Sequence, residues 1–96
     1  MEVVYSFMEK NIVLYKYWHQ YCGPCKVYAP IVEEVVKDTG IAKVDVNTYE
    51  AGSEVLVQKK VNAVPLTIIE VDGQEVFRKT GIINKPELTQ IINSLK

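Results

Sequence analysis

The hydrophobic pattern of this chain changes period abruptly between residues 18 and 26, and that change constrains the fold more than any other feature. Residues 11–18 read NIVLYKYW, a near-continuous apolar run rich in β-branched and aromatic residues. Such a run suggests a strand buried in a parallel or mixed sheet. Further on, Val27, Ile31, Val32, Val35 and Val36 recur at spacings of three and four, while Glu33, Glu34, Lys37 and Asp38 take the opposite face. That period predicts an amphipathic helix over residues 26–38, stopped by Gly40. Pro30 lies inside it and is expected to bend it, because it removes one backbone donor and crowds the preceding turn.

The remaining elements follow the same alternation. Residues 41–46 (IAKVDV) read as a second strand, and residues 49–60 as a helix capped by Asn47 or Thr48. Residues 66–71 (LTIIEV) form a third strand, Asp72-Gly73 a turn, and residues 75–79 its hairpin partner, ended by Gly81. Asn84 caps a last helix, with Pro86 in its first turn, running to about residue 95. Residues 2–5 suggest an edge strand and residues 6–10 at most a short helix. Strands alternating with helices imply parallel crossovers, and the hairpin adds an antiparallel pair. The expected architecture is α/β: a central mixed sheet flanked by helices.

With 96 residues, the chain is expected to form one domain over residues 1–96, burying somewhat over ~60% of its unfolded surface. A net charge of −1 supplies no field that draws it to nucleic acid or to a membrane. No apolar run approaches the ~18 residues of a membrane span, and residues 3–5 are too short for a signal-peptide core. The expectation is a soluble cytoplasmic protein with neither kind of partner.

Residues 18–26 read WHQYCGPCK and hold both cysteines of the chain. A disulfide scaffold uses four or more. Closing a loop of about four residues would constrain the unfolded chain by only ~2 kcal/mol, so stability is a poor reason for this spacing. Chemistry is a better one. The pair opens a helix, where unpaired N–H groups and the positive end of the dipole stabilise a thiolate. Cys22, at the mouth, is the natural nucleophile. Cys25 lies one turn inward on the same face, roughly 5–6 Å away, within disulfide reach, and can resolve a mixed disulfide formed at Cys22. Gly23 lets a partner backbone approach, and Pro24 sits in the first turn, where its missing donor costs nothing. Two rival readings are cysteines packed as small apolar residues and a zinc site. The latter needs four ligands, and the motif offers Cys22, Cys25 and His19.

Taken together, these residues resemble the thioredoxin family. Trp18 precedes the motif at the family's spacing, Pro30 matches the helix-kinking proline, and Lys43 matches a lysine on the next strand. Val64-Pro65 matches the proline that faces the dithiol, Asp72-Gly73 the hairpin turn, and Gly81 the glycine after the last strand. The resemblance runs from about residue 10 to the end, with a shortened N-terminus. It implies a thioredoxin fold, a cis bond before Pro65, and a shallow apolar groove rimmed by Tyr21, Gly23, Pro24, Ala63, Val64, Gly81 and Ile82. Tyr21 stands where the family usually has tryptophan, and Val64 would offer its backbone to a peptide. The implied activity is reduction of protein disulfides by a monomer that needs no bound cofactor. Its partners would be disulfide-containing proteins and a thioredoxin-reductase-type, NADPH-linked flavoprotein. The alternatives are an oxidant or isomerase on the same fold, and a binding module without redox turnover.

One position departs from the family. Lys16 shares a strand face with Ile12, Leu14 and Trp18 and stands where the family usually has a buried aspartate. Lys43 is expected on the neighbouring strand, so two lysines are placed under Cys25 as candidate catalytic groups. Burial and like charge lower a lysine pKa, which would make one of them a general base for Cys25. A charged lysine would instead stabilise a Cys25 thiolate; the bland outcome is that Lys16 snorkels to the strand end. Asp45 shares a strand face with Lys43 and could pair with it, solvation being the favoured reading. His19 could tune Cys22 electrostatically, an exposed bystander being the favoured reading. Trp18 is expected to pack beneath the motif, and Lys26 to lend potential or cover the surface.

Overall fold

A computed structural model describes residues 10–96. The edge strand expected at residues 2–5 and the short helix at residues 6–10 fall outside them, Lys10 apart. Four strands, β1 (Ile12–Trp18), β2 (Ala42–Asn47), β3 (Leu66–Val71) and β4 (Gln74–Thr80), form one sheet in the order β2-β1-β3-β4. β1 runs parallel to β2 and antiparallel to β3, and β3 pairs antiparallel with β4. Three helices flank the sheet: α1 (Gly23–Thr39), α2 (Ser53–Gln58) and α3 (Lys85–Leu95). The mixed sheet expected from the alternation is therefore present.

Strand alternation divides the core in two. On one face Ile12 and Leu14 of β1 and Ile69 of β3 pack against Tyr28, Val32 and Val35 of α1 and Leu88 and Ile92 of α3. On the other, Tyr17, Leu66 and Ile68 pack with Leu56 of α2 and with Val61 and Val64. Lys16 lies on the α1 face, as its spacing from Ile12 and Leu14 requires.

Local chemistry sets the boundaries. Gly40 ends α1 in the left-handed region, at φ 75°, and its N–H donates to Val36 O at 2.8 Å. α1 passes through Pro30 without interruption. Asp72 and Gly73 both have positive φ, 53° and 84°, which a two-residue hairpin needs to match strand twist. Asn84 caps α3 by accepting the Glu87 N–H at 2.9 Å.

The helix expected over residues 49–60 is shorter, Ser53–Gln58, and its cap is Gly52. Asn47 acts first. Its side-chain Oδ1 accepts from Tyr49 N at 2.9 Å, and its carbonyl accepts from Glu50 N and Ala51 N. Those bonds close a single turn of the kind an N-cap opens, and Gly52, extended at φ −66° and ψ 148°, cuts that turn off from α2. At the other end Lys60 takes φ 54°, which α-helix does not permit.

Candidate redox site

Register brings the site together at one end of the sheet. Trp18 ends β1 opposite Asn47, the last residue of β2. Tyr17 pairs with Leu66, the first residue of β3, and Leu66 pairs with Thr80, the last residue of β4. The segments that continue from these ends are residues 19–22, 61–65 and 81–82. All lie where α1 begins.

Cys22 is the N-cap of α1. Its backbone is extended (φ −97°, ψ 107°) and its sulfur accepts the Cys25 N–H at 3.1 Å. Cys22 N–H in turn donates to His19 O at 3.2 Å. The two cysteines are joined as a disulfide with Cα atoms 5.2 Å apart, within the span that the helical spacing predicts. Cys25 is the more deeply buried, 3% exposed against 7% for Cys22. Pro24 occupies the first turn, and Gly23 and Pro24 are both exposed. A helix tip with a sulfur as its cap favours an anion at that sulfur once the bond is reduced.

The groove residues fall around this point. The Val64–Pro65 bond is cis. Pro65 is buried, Val64 half-buried and Ala63 exposed. Among the described residues, neither the N–H nor the carbonyl of Val64 has a hydrogen-bond partner. Gly81, at φ 92°, donates its N–H to Pro65 O at 2.8 Å and so ties the end of β4 to the cis-proline loop. Tyr21 is 74% exposed and Ile82 42%.

Lys16 is buried and pairs with Asp45, its parallel-strand neighbour, at 3.4 Å. A buried ammonium needs such a partner, since an unpaired one carries a large desolvation penalty. Asp45 also binds Lys43, and Lys43 binds Glu33 of α1 at 2.6 Å. Charges thus alternate from Glu33 through Lys43 and Asp45 to Lys16, and they link α1 to β2 and β1. Lys16, Asp45, Glu33 and Lys26 line a cleft of about 540 Å³ that reaches Cys25, with Trp18, half-buried, on its wall.

Two expectations, for Lys43 and His19, are corrected here. Burial alone would lower the Lys43 pKa, but hydrogen bonds to Asp45 and Glu33 and the charges of both outweigh it and hold Lys43 above the ordinary lysine value. A partly neutral Lys43 acting as a base is therefore not what this site builds. Asp45 remains exposed, with 39% of its side chain open to solvent, and at the same time is the ion-pair partner of two lysines, Lys43 among them. His19 is half-buried, its Nδ1 accepts from Tyr21 N at 3.1 Å, and its ring stacks on Tyr49 at 4.6 Å. The Lys16–Asp45 pair is readable in principle from the strand register; the place of Tyr49, in a turn, carries no period to read. No group of three or more His, Cys, Asp or Glu side chains among the described residues is arranged to hold a metal.

Comparison with known proteins points the same way. The family model described as Thioredoxin matches residues 2–94. The chain is 34% identical over 91 residues to a thioredoxin of Chlamydia caviae, covering 92% of this chain and 86% of that one. It is 30% identical over 92 residues to a thioredoxin of Staphylococcus aureus, with the same coverage. Among solved structures it is similar to Fasciola hepatica thioredoxin, with TM-score 0.80, 27% identity, and 99% of this chain and 90% of that one covered. A point mutant of thioredoxin from Halobacterium salinarum NRC-1 gives TM-score 0.82 and 26% identity, covering 88% of this chain and 74% of that one.

Proposed function

The chain belongs to the thioredoxin family and is a thiol–disulfide oxidoreductase that reduces protein disulfides; from that premise we propose how its own residues divide the work. Cys22 is the nucleophile. Its thiolate attacks one sulfur of a substrate disulfide. A Cys22–substrate bond forms, the substrate S–S bond breaks, and the first substrate sulfur leaves as a thiolate. Cys25 then loses its proton and attacks Cys22. The Cys22–Cys25 bond forms, the second substrate sulfur departs, and two electrons have passed to the substrate.

The single observation that carries this division is the capping geometry. The sulfur of Cys22 stands at the tip of α1 and accepts the N–H of Cys25, so the helix end stabilises charge at residue 22 first. The deeper Cys25 suits a resolving thiol that meets only a sulfur already bound at Cys22.

Lys16 supports the second step. As a charged ammonium paired to Asp45 on the cleft that reaches Cys25, it stabilises the Cys25 thiolate as the proton leaves. Lys43 acts at one remove, by holding Asp45. Substrate lies over Tyr21, Gly23 and Pro24, against Val64 and Pro65, with Gly81 and Ile82 closing the far side. The unpartnered N–H and carbonyl of Val64 suit an extended peptide that pairs edge to edge.

The working protein is a cytoplasmic monomer that carries electrons on its own dithiol without a bound cofactor. An NADPH-linked flavoprotein reductase returns it to the dithiol form. Support for this setting is the family, the helix cover on both sheet faces, and a near-neutral charge of −1.

The test is reduction of insulin-type disulfides by the wild type, by Cys22→Ser and by Cys25→Ser. Wild type is expected to turn over, Cys22→Ser to be inactive, and Cys25→Ser to accumulate a mixed disulfide through residue 22, seen by mass spectrometry. Turnover that survives Cys22→Ser refutes the assignment.

A further inference from the structure

Three aromatic rings stand beside the redox pair. His19 stacks on Tyr49 with centroids 4.6 Å apart and planes 26° from parallel, and Tyr21 approaches the same Tyr49 ring at 5.6 Å. Tyr21 and Tyr49 are nonetheless 74% and 61% exposed. Their positions are held by backbone bonds. Thr48 N donates to Trp18 O at 2.8 Å, Tyr49 N to Asn47 Oδ1 at 2.9 Å, and Tyr21 N to His19 Nδ1 at 3.1 Å. Large exposed rings on a fixed turn offer contact area at little cost in conformational entropy.

Beside the stack lies a second cleft, of about 290 Å³, whose lining includes His19, Tyr49, Leu56, Val61 and Val64. None of the residues lining it is Asp, Glu, Lys or Arg. The cleft on the Cys25 side, by contrast, carries Lys16, Lys26, Glu33 and Asp45. An apolar side chain therefore matches the cleft beside the stack and a charged one does not. Val64 decides what reaches it. A polypeptide paired with the backbone of Val64 runs along the rim of this cleft and presents alternate side chains to it.

We infer that His19, Tyr49 and the cleft beside them form a specificity subsite, which takes one aromatic or large apolar side chain of the substrate polypeptide close to its cystine. The inference rests on the reading that the protein reduces protein disulfides. It adds which disulfides are preferred: those flanked by a residue such as Phe, Tyr or Leu over those flanked by small or charged residues. The site is small for a free metabolite and sized for a single side chain.

The experiment uses cyclic disulfide peptides identical except for one residue, Phe or Ser, placed in turn at each position flanking the cystine. kcat/KM is measured for wild type, Tyr49→Ala and Tyr49→Phe. At one position wild type is expected to favour Phe over Ser. Tyr49→Ala should lower that Phe-to-Ser ratio about fivefold, the size of one aromatic pair, and Tyr49→Phe should keep it. Because Tyr49 sits on an exposed turn, the ratio can be read in a folded variant. A wild type indifferent to Phe at every position, or a ratio unmoved by Tyr49→Ala, overturns the subsite. A wild type that reduces none of the peptides overturns the underlying function instead.

Discussion

The Tyr28 hydroxyl and the Thr67 hydroxyl meet at 2.7 Å with both residues fully buried. Tyr28 lies three residues after Cys25 on α1, and Thr67 faces Lys16 across the β1–β3 pair, so this bond pins the reacting end of the helix to the sheet. Burial pushes the Tyr28 pKa up, with the Thr67 bond opposing it, and the hydroxyl stays protonated at working pH. Neither hydroxyl has another partner among the described residues. Tyr28→Phe therefore strands the Thr67 oxygen, and Thr67→Val strands the Tyr28 oxygen, each at about 1–3 kcal/mol. In a domain of this length each kcal/mol moves Tm by roughly 4–8 °C. The double variant Tyr28→Phe/Thr67→Val removes both polar groups and should lie within about 1 kcal/mol of wild type. The assay is thermal and urea unfolding of the four proteins, all oxidised, followed by circular dichroism. A double variant that loses the sum of the two single losses refutes the reasoning, because it would mean that the hydroxyls act separately.

Three further outcomes are expected. Lys16→Leu should raise the Cys25 thiol pKa by about a unit, the low end of what a neighbouring opposite charge does, and leave Cys22 nearly unmoved; identical thiol titrations in variant and wild type sink the assignment. The folded Lys43 pKa lies above its ordinary 10.5. Its stabilising contribution is thus fully present below that pH and lost as pH rises through the folded value, so the urea midpoint of wild type should fall more steeply above about pH 10.5 than that of Lys43→Met. Asn84→Ala, which removes the α3 cap, should cost about 1 kcal/mol in urea unfolding.

Much of this architecture is legible because periodicity and burial coincide. The run NIVLYKYW is a strand because both sheet faces are covered, and Ile31, Val32, Val35 and Val36 of α1 face the core at the spacing that their pattern shows; Val27, counted on the same stripe, is instead 57% exposed, next to the helix start. The turn at Asp72-Gly73 and the caps at Gly40 and Asn84 are local chemistry and need no tertiary context. α2 is shorter than its pattern suggests because the single turn that Asn47 caps is broken off at the extended Gly52, a backbone break that helix period does not register. In the site, the dithiol is readable from residue type and spacing, whereas the cis bond before Pro65 is implied only by the family resemblance. The pairing of Asp45 with Lys43 follows from strand alternation, but its pairing with Lys16 is readable only once the β1–β2 register is known. The His19–Tyr49 stack joins distant residues through a loop tied to Trp18 O, and no pattern along the chain announces it.

The sulfur that reacts is also the atom that winds the helix start. As an anion it accepts the Cys25 N–H more strongly than as half of a disulfide, so gaining electrons tightens the first coil of α1 and losing them slackens it. Thermodynamic reciprocity makes this run both ways. A polypeptide that stiffens residues 22–25 as it docks raises the pair's hold on its electrons, and one that loosens them makes the electrons easier to give up. Docking and electron donation are in this sense one coupled equilibrium, read out at a single turn of backbone.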